Sequence, residues 1–238
     1  MALAAALSVS AAAAHAAAIT VSIFDAPSYN AGWGTGSNAY EDFESLGASL
    51  GEGEVGANFA TNVGIFNTIG GVGSGGTVTQ LPGNTGQTLA LRDGNVFGRN
   101  NATPNGGVWF LDSNDTFGMI WDVMLGGTSF NKLSFVISDA SDVGAYLRIS
   151  TGTASYELRT GGQLANGNDK LIEIDFGGAV TSAQIVLGNF TTSGGTTYKL
   201  NDGFSIDGIE VNAVPLPAGA VLLLSALAGG AALRRRRG

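Results

Sequence analysis

The chain has 238 residues with 11 Lys or Arg, 19 Asp or Glu, no cysteine and a single histidine, His15. Four of the basic residues are Arg234 to Arg237; before them stand 7 basic residues against 19 acidic ones, a charge of −12. A body this acidic repels phosphate backbones, which argues against nucleic acid as a partner, and beyond His15 it has no Cys or His for zinc, haem, a cysteine nucleophile or a Ser-His-Asp triad.

Residues 1–18 are Ala-rich and uncharged, and Ala14-His15-Ala16 has the small-x-small form of a signal cleavage site. They are expected to be a secretory signal with a truncated n-region, removed together with His15. Cuts after Ala17 or Ala18 fit nearly as well. Residues 19–213 form the expected mature domain, a length common for one β-sandwich or barrel. Gly at 38 residues without a short fixed period, and Pro at only 5, point to many turns between short strands.

Along this body the dominant hydrophobic period is two. It predicts strands over Ile19–Phe24, Tyr40–Leu46, Thr77–Leu81, Thr88–Arg92, Val108–Asp112 and Phe117–Leu125. Six more follow over Lys132–Asp139, Ala145–Ser150, Ser155–Arg159, Leu171–Phe176, Ala183–Phe190 and Phe204–Val211. Leu133, Phe135 and Ile137, and likewise Ile172, Ile174 and Phe176, lie on one parity, as in a half-buried antiparallel strand. Trp121 shares parity with Met119 and Val123 and is expected in the core. In the last strand Phe204 and Ile206 fall on one parity and Ile209 and Val211 on the other, which predicts a β-bulge at Asp207-Gly208. The irregular stretch Gly51 to Gly76 has room for one or two further strands. No 3.6-residue period survives outside the termini, so the expected fold is an all-β antiparallel sandwich, jelly-roll-like, without a helix in the body.

The C-terminal 25 residues have a different character. Val214-Pro215-Leu216-Pro217 holds the chain extended, residues 218–233 are uncharged and largely apolar, and Arg234, Arg235, Arg236 and Arg237 close the sequence before Gly238. The apolar stretch is expected to be a short transmembrane helix with its arginines on the cytoplasmic side. Val214, Pro215, Leu216, Pro217 and Ala218, followed by an apolar helix and an Arg cluster, resemble the PEP-CTERM sorting class in its VPLPA variant. That resemblance implies an exported precursor anchored transiently in the inner membrane. It also implies an exosortase-type membrane transpeptidase as partner, and delivery to the cell surface or extracellular polymer.

Three stretches of the body, residues 130–149, 180–189 and 200–211, resemble β-sandwich ectodomains that recur in front of such tails. A looser resemblance is to jelly-roll carbohydrate-binding modules in which an early acidic strand and a late Asp share a structural Ca²⁺. The matching residues are Glu41, Asp42, Glu44 and Asp207, with Gly208 where a second Asp often stands; solvated turn acids are the alternative reading. The DxND run of Asp112, Asn114 and Asp115 lacks the downstream ligands of a calcium loop and is expected to be an inter-strand turn. For stacking on sugar rings, Trp33 in a Gly-rich loop and Trp109 are the candidate platforms, with Tyr146, Tyr156 and Tyr198 as further surface aromatics. Asn101, Asn114 and Asn189 each begin an Asn-x-Thr triplet. Two functions follow: a non-catalytic surface or matrix protein that binds exopolysaccharide, or a carboxylate-based hydrolase or lyase of such polymers, which requires two converging acids in a cleft.

Overall fold

The computed structural model describes residues 18–26, 39–69, 87–101, 106–142, 144–161, 164–193 and 197–214. Residues 1–17 of the expected signal segment, the Thr77–Leu81 strand, Trp33 and the sorting tail beyond Val214 lie outside them. Among the described residues no helix is long and apolar enough to cross a membrane.

Sixteen strands and one short helix make up the described chain. In order they are β1 (Thr20–Asp25), β2 (Ala39–Glu41), α1 (Glu44–Leu50), β3 (Gly53–Glu54), β4 (Phe59–Thr61), β5 (Gly64–Ile69), β6 (Ala90–Asp93), β7 (Trp109–Asp112) and β8 (Gly118–Met124). There follow β9 (Phe130–Ser138), β10 (Gly144–Ser150), β11 (Ser155–Gly161), β12 (Asp169–Val180), β13 (Ser182–Gly188), β14 (Phe190–Ser193), β15 (Thr197–Asn201) and β16 (Ser205–Ala213). One sheet of eight strands runs β1-β12-β9-β16-β7-β6-β3 with β2 also on β16, and a six-stranded sheet runs β11-β10-β13-β8-β5-β4. All pairings are antiparallel. This is a β-sandwich, as the period of two predicts.

The two inner faces meet in one apolar core. Leu133, Phe135 and Ile137 of β9, Ile172, Ile174 and Phe176 of β12, and Ile206, Ile209 and Val211 of β16 enter it from the larger sheet. Trp121 of β8 enters from the smaller one, fully buried. Its ring stacks on Phe66 at 5.3 Å between centroids and meets the edge of Phe135 at 6.0 Å. Its indole N–H donates to the Val63 carbonyl at 3.1 Å, so the one polar atom of the ring is satisfied.

The bulge falls where the parity break places it. The register of β16 against β9 shifts between Asp207 and Glu210, and Gly208 sits at φ 56°, a conformation suited to glycine. Here β16 also changes neighbours: Ser205 and Ile206 pair with β7, whereas Ile209 to Val211 pair with β2. The bulge therefore lets one strand serve two partners in succession while Ile206 and Ile209 both stay in the core.

Two expectations are corrected. The strand over Tyr40–Leu46 stops at Glu41 and gives way to α1, so the body does contain a helix. The cause is the acidic run itself. Glu41 accepts the Phe43 amide at 2.9 Å, and Asp42 accepts the Glu44 amide at 3.1 Å. Such local side-chain bonds offer the backbone an alternative to the sheet ladder, and Phe43 turns the chain at φ 58°. The strand over Ala183–Phe190 is likewise interrupted, at Asn189, which divides β13 from β14.

Candidate functional site

The four acids considered for calcium do not come together around a common point. Glu41 pairs in register with Ile209, a core residue, whereas Asp207 pairs with Val136 on the opposite, outer face of the same sheet. The Glu41 carboxylate is fully engaged inside, accepting the Phe43 amide and, at 3.0 Å, the Asn62 amide; burial raises its pKa despite those two donors. Glu44 turns away to accept the Val108 and Trp109 amides at 2.7 and 2.8 Å, tying α1 to the start of β7. Asp207 accepts the amide of Gly208 within the bulge. Among the described residues no group of three or more His, Cys, Asp or Glu is arranged to hold a metal ion.

Of the aromatic candidates, Trp109 is half-buried and packs against the core. Its ring lies on α1, so close that a Cβ at Gly47 would stand 1.9 Å from it. That contact explains the glycine within α1 and leaves Trp109 as a wedge under the helix. Tyr146 is half-buried with the Arg159 guanidinium 4.6 Å from its ring centroid and Phe190 on its flank.

The densest polar chemistry gathers at one corner of the larger sheet. Ser138, Asp112 and Ser205 lie side by side in the ladder, and their neighbours Ile137, Leu111 and Ile206 point inward, so the three polar residues face out. Nevertheless they are buried, because the loop between β6 and β7 folds back over them. Ser205 donates to the Asn100 carbonyl at 3.2 Å, and Arg99 is 97% buried against Asp112, 3.4 Å away, and Asp115, 2.6 Å away. Burial pushes the Asp112 carboxyl up in spite of Arg99 and the Asn114 amide. Arg99 itself, though burial opposes its charge, is held above the ordinary arginine value by Asp112, Asp115 and Asp202. Close approach is possible because residue 203 is glycine: a Cβ there would fall 1.3 Å from the Arg99 Nη1.

Asn189 extends this network toward the β9–β10 connection. Its side-chain amide donates to the Asp139 carbonyl at 3.1 Å and to the Asp142 carboxylate at 2.7 Å, and its oxygen accepts the Ser141 amide at 3.1 Å. Asp139 in turn accepts the Gly167 amide at 2.5 Å; burial, with Asp142 and Asp202 nearby, raises its pKa. Of the Asn-x-Thr triplets, Asn189 is therefore inside the fold and Asn114 is spent on Glu54 and the Thr88 carbonyl. As the spacing suggests, Asp112, Asn114 and Asp115 form a turn between β7 and β8.

On the outside of this corner stands a feature that sequence reasoning missed. Val96 and Arg99 exchange both backbone hydrogen bonds, at 2.9 and 3.0 Å, closing a two-residue turn over Phe97 and Gly98. Both central residues have positive φ, 52° and 100°. Such a turn favours Asn-Gly or Gly-Gly, and a bulky residue at its first central position is a rare, strained choice. Phe97 is nonetheless there and 83% exposed. The buried Arg99 anchors the turn from below, with its guanidinium 5.8 Å from the Phe97 ring centroid. Asn95 and Asn100 brace it, bonding the Gly98 amide and carbonyl. The signal was present as Asn95-Val96-Phe97-Gly98, a turn sequence with an aromatic in the place of the asparagine.

Compared with protein-family profiles and with curated proteins, the chain matches none. Among solved structures, similarity is found to a glycoside hydrolase family 43 arabinoxylan arabinofuranohydrolase from Bacillus subtilis, determined with cellotetraose. The identity is 15% and the TM-score 0.31, over 65% of this chain but only 30% of that one. A second similarity is to a protein from Bacteroides thetaiotaomicron provisionally described as sugar binding, at 9% identity and TM-score 0.30, over 74% of this chain and all of the other. Likenesses at this level carry no argument about function.

Proposed function

We propose that this chain is an exported, non-catalytic surface or extracellular-matrix protein whose sandwich engages exopolysaccharide through the Phe97 turn. The observation that carries the binding part is a strained, exposed aromatic presented rigidly at the tip of a braced turn. Strain of this kind costs on the order of 1–3 kcal/mol, so a sequence free to place Asn or Gly there would be more stable without it. A flat, exposed apolar ring suits the apolar face of a pyranose ring. Delivery is assigned to the C-terminal segment by its composition: the last strand of the sandwich ends at Ala213, and the Val-Pro-Leu-Pro-Ala motif begins at the next residue. An exosortase-type transpeptidase is the implied partner there.

The hydrolase or lyase alternative is less well supported. It needs two accessible carboxylates across a cleft, whereas Asp112 and Asp139 are buried and committed to Arg99 and to the Gly167 amide.

Retention of the purified protein on immobilised polysaccharides tests the binding part. Wild type is expected to bind at least one neutral exopolymer and Phe97→Ala to lose most of that retention. Equal retention of the two would remove the turn from the account. Fractionation of cells expressing the full chain tests delivery: with Arg234 to Arg237 replaced by Ala, the surface-exposed fraction should fall.

A further inference from the structure

The larger sheet ends at β1, and that edge is unlike the other three. β3 is two residues long and β4 three, too short to template another strand, and β11 carries Glu157 and Arg159 as an exposed ion pair. Short or charged edges are the usual protection against edge-to-edge pairing. β1 is six residues long and, among the described residues, pairs with β12 alone. Its first five residues, Thr20-Val21-Ser22-Ile23-Phe24, are uncharged, β-branched or aromatic apart from Ser22, and free of Pro and Gly. Its one charge, Asp25, is tied to Lys170 of β12.

The side chains on this edge are also uncovered. Ile23 is 51% and Phe24 43% exposed. Ile23 pairs with Ile172 of the core, so it faces inward, at the mouth of a cleft of about 700 Å³ between the two sheets. Leu147, Leu158, Leu164 and Leu187 line that cleft from the opposite side and beyond. Phe24 pairs with Leu171 and lies on the outer face. Among the described residues an unpaired backbone edge and an open apolar mouth thus coincide.

We infer that β1 is the interface for a second copy of this chain, the two β1 strands pairing antiparallel across a two-fold axis at Ser22. The register follows from three constraints. A two-fold axis normal to the sheet keeps both inner faces on one side only if opposed residues share parity. Centring on Ser22 pairs the uncharged run of residues 20–24 wholly with itself and leaves each Asp25 outside it. Val21 then stands opposite the partner's Ile23 on the inner face, and Thr20 opposite the partner's Phe24 on the outer. Each copy's Val21 and Ile23 would flank the mouth of the other's cleft. The self-match is also electrostatic: in a body of charge −12, this edge is a stretch on which two copies can approach without opposing like charges. A closed, isologous pair follows, not an open filament, because the same edge is used on both sides. The inference does not rest on the polysaccharide reading.

The sequence contains no cysteine, which gives a clean test. In the full chain carrying Ser22→Cys, the two sulfurs sit on the axis, and directly opposed residues in an antiparallel pair lie within disulfide reach. Mild oxidation should yield a covalent dimer at least about tenfold faster than for Thr20→Cys, whose copies are displaced along the strands. Adding Ile23→Lys to Ser22→Cys should abolish the difference, with a thermal midpoint equal to that of wild type at dilutions where both are monomers showing that the fold is intact. Wild type should sediment as a concentration-dependent dimer and Ile23→Lys as a monomer. Cross-linking equal at positions 20 and 22, a dimer that survives Ile23→Lys, or a wild-type monomer at every concentration would each overturn the proposal.

Discussion

The loop-clad corner and the β1 edge put opposite chemistry in unexpected places. At the corner, polar residues on the outward face of a sheet are buried and tied together by the Arg99 ion pairs and the Ser205 hydrogen bond, with the Arg99 Nε and one Asp112 oxygen making no hydrogen bond. At the edge, apolar residues of a strand are left half-exposed, with backbone unpaired on one side among the described residues. A buried polar group without a partner costs free energy, so the corner is intelligible as a structural clamp that holds the Phe97 turn. An exposed apolar edge gains from being covered, so the edge is intelligible as a surface awaiting contact. The lesson is that acidic density did not mark an open surface: Glu41, Asp42 and Asp112 are engaged within the fold, whereas exposed apolar side chains stand at β1 and at Phe97.

Substitutions at the two regions should separate these roles, and the largest effect belongs to the clamp. Arg99→Met leaves Asp112 buried without its closest cation and should cost about 3–5 kcal/mol, read from urea unfolding. Asn189→Ala removes four hydrogen bonds that join residues 139–142 to Gly203 and should cost about 2–3 kcal/mol by the same measurement. Phe97→Gly should do the reverse. It relieves the positive φ and is expected to raise stability by about 1 kcal/mol while polysaccharide retention falls, a divergence that a merely structural Phe97 would not give.

The pH dependence is smaller and its sign is set. Asp139 is raised by burial and by Asp142 and Asp202, so the folded state holds its proton to a higher pH than the unfolded chain. Its contribution therefore favours the fold at low pH and is lost as pH rises from 3.8, the ordinary aspartate value, through the raised one. Asp139→Asn, which keeps an acceptor for the Gly167 amide, should flatten that decline in a series of unfolding midpoints. At the other region, Ile23→Lys should change monomer stability by no more than about 0.5 kcal/mol, since its effect is on association.

Much of the sandwich was legible because its strands obey a strict alternation. Leu133-Phe135-Ile137 and Ile172-Ile174-Phe176 mark their inner faces directly, Trp121 falls in the core with Met119 and Val123, and the bulge at Gly208 follows from one parity break. What was not legible depended on long-range company. Glu41, Asp42 and Glu44 read as one acidic strand, but Glu41 and Asp42 each take up an amide two residues on, and the chain turns into α1 with Glu44 bound to the start of β7. Ser138, Asp112 and Ser205 carry no sign in sequence that Gly98 to Asn100, in the loop before β7, will cover them. Nor does alternation reveal that β1, a regular strand, lies at an edge; only the strand order does so. Phe97 escaped notice because an aromatic in a turn breaks no hydrophobic pattern.

The most direct test of the contrast is hydrogen exchange of the full protein at low and high concentration. The amides of Thr20 to Asp25 that face away from β12 should exchange rapidly in dilute solution and become protected as concentration rises, while those of residues 112–117 and 139–141 stay slow throughout. If the β1 amides are slow at every concentration, or fast at every concentration, the edge is not where copies of this chain meet. The division of the molecule into a closed corner and an open edge then fails.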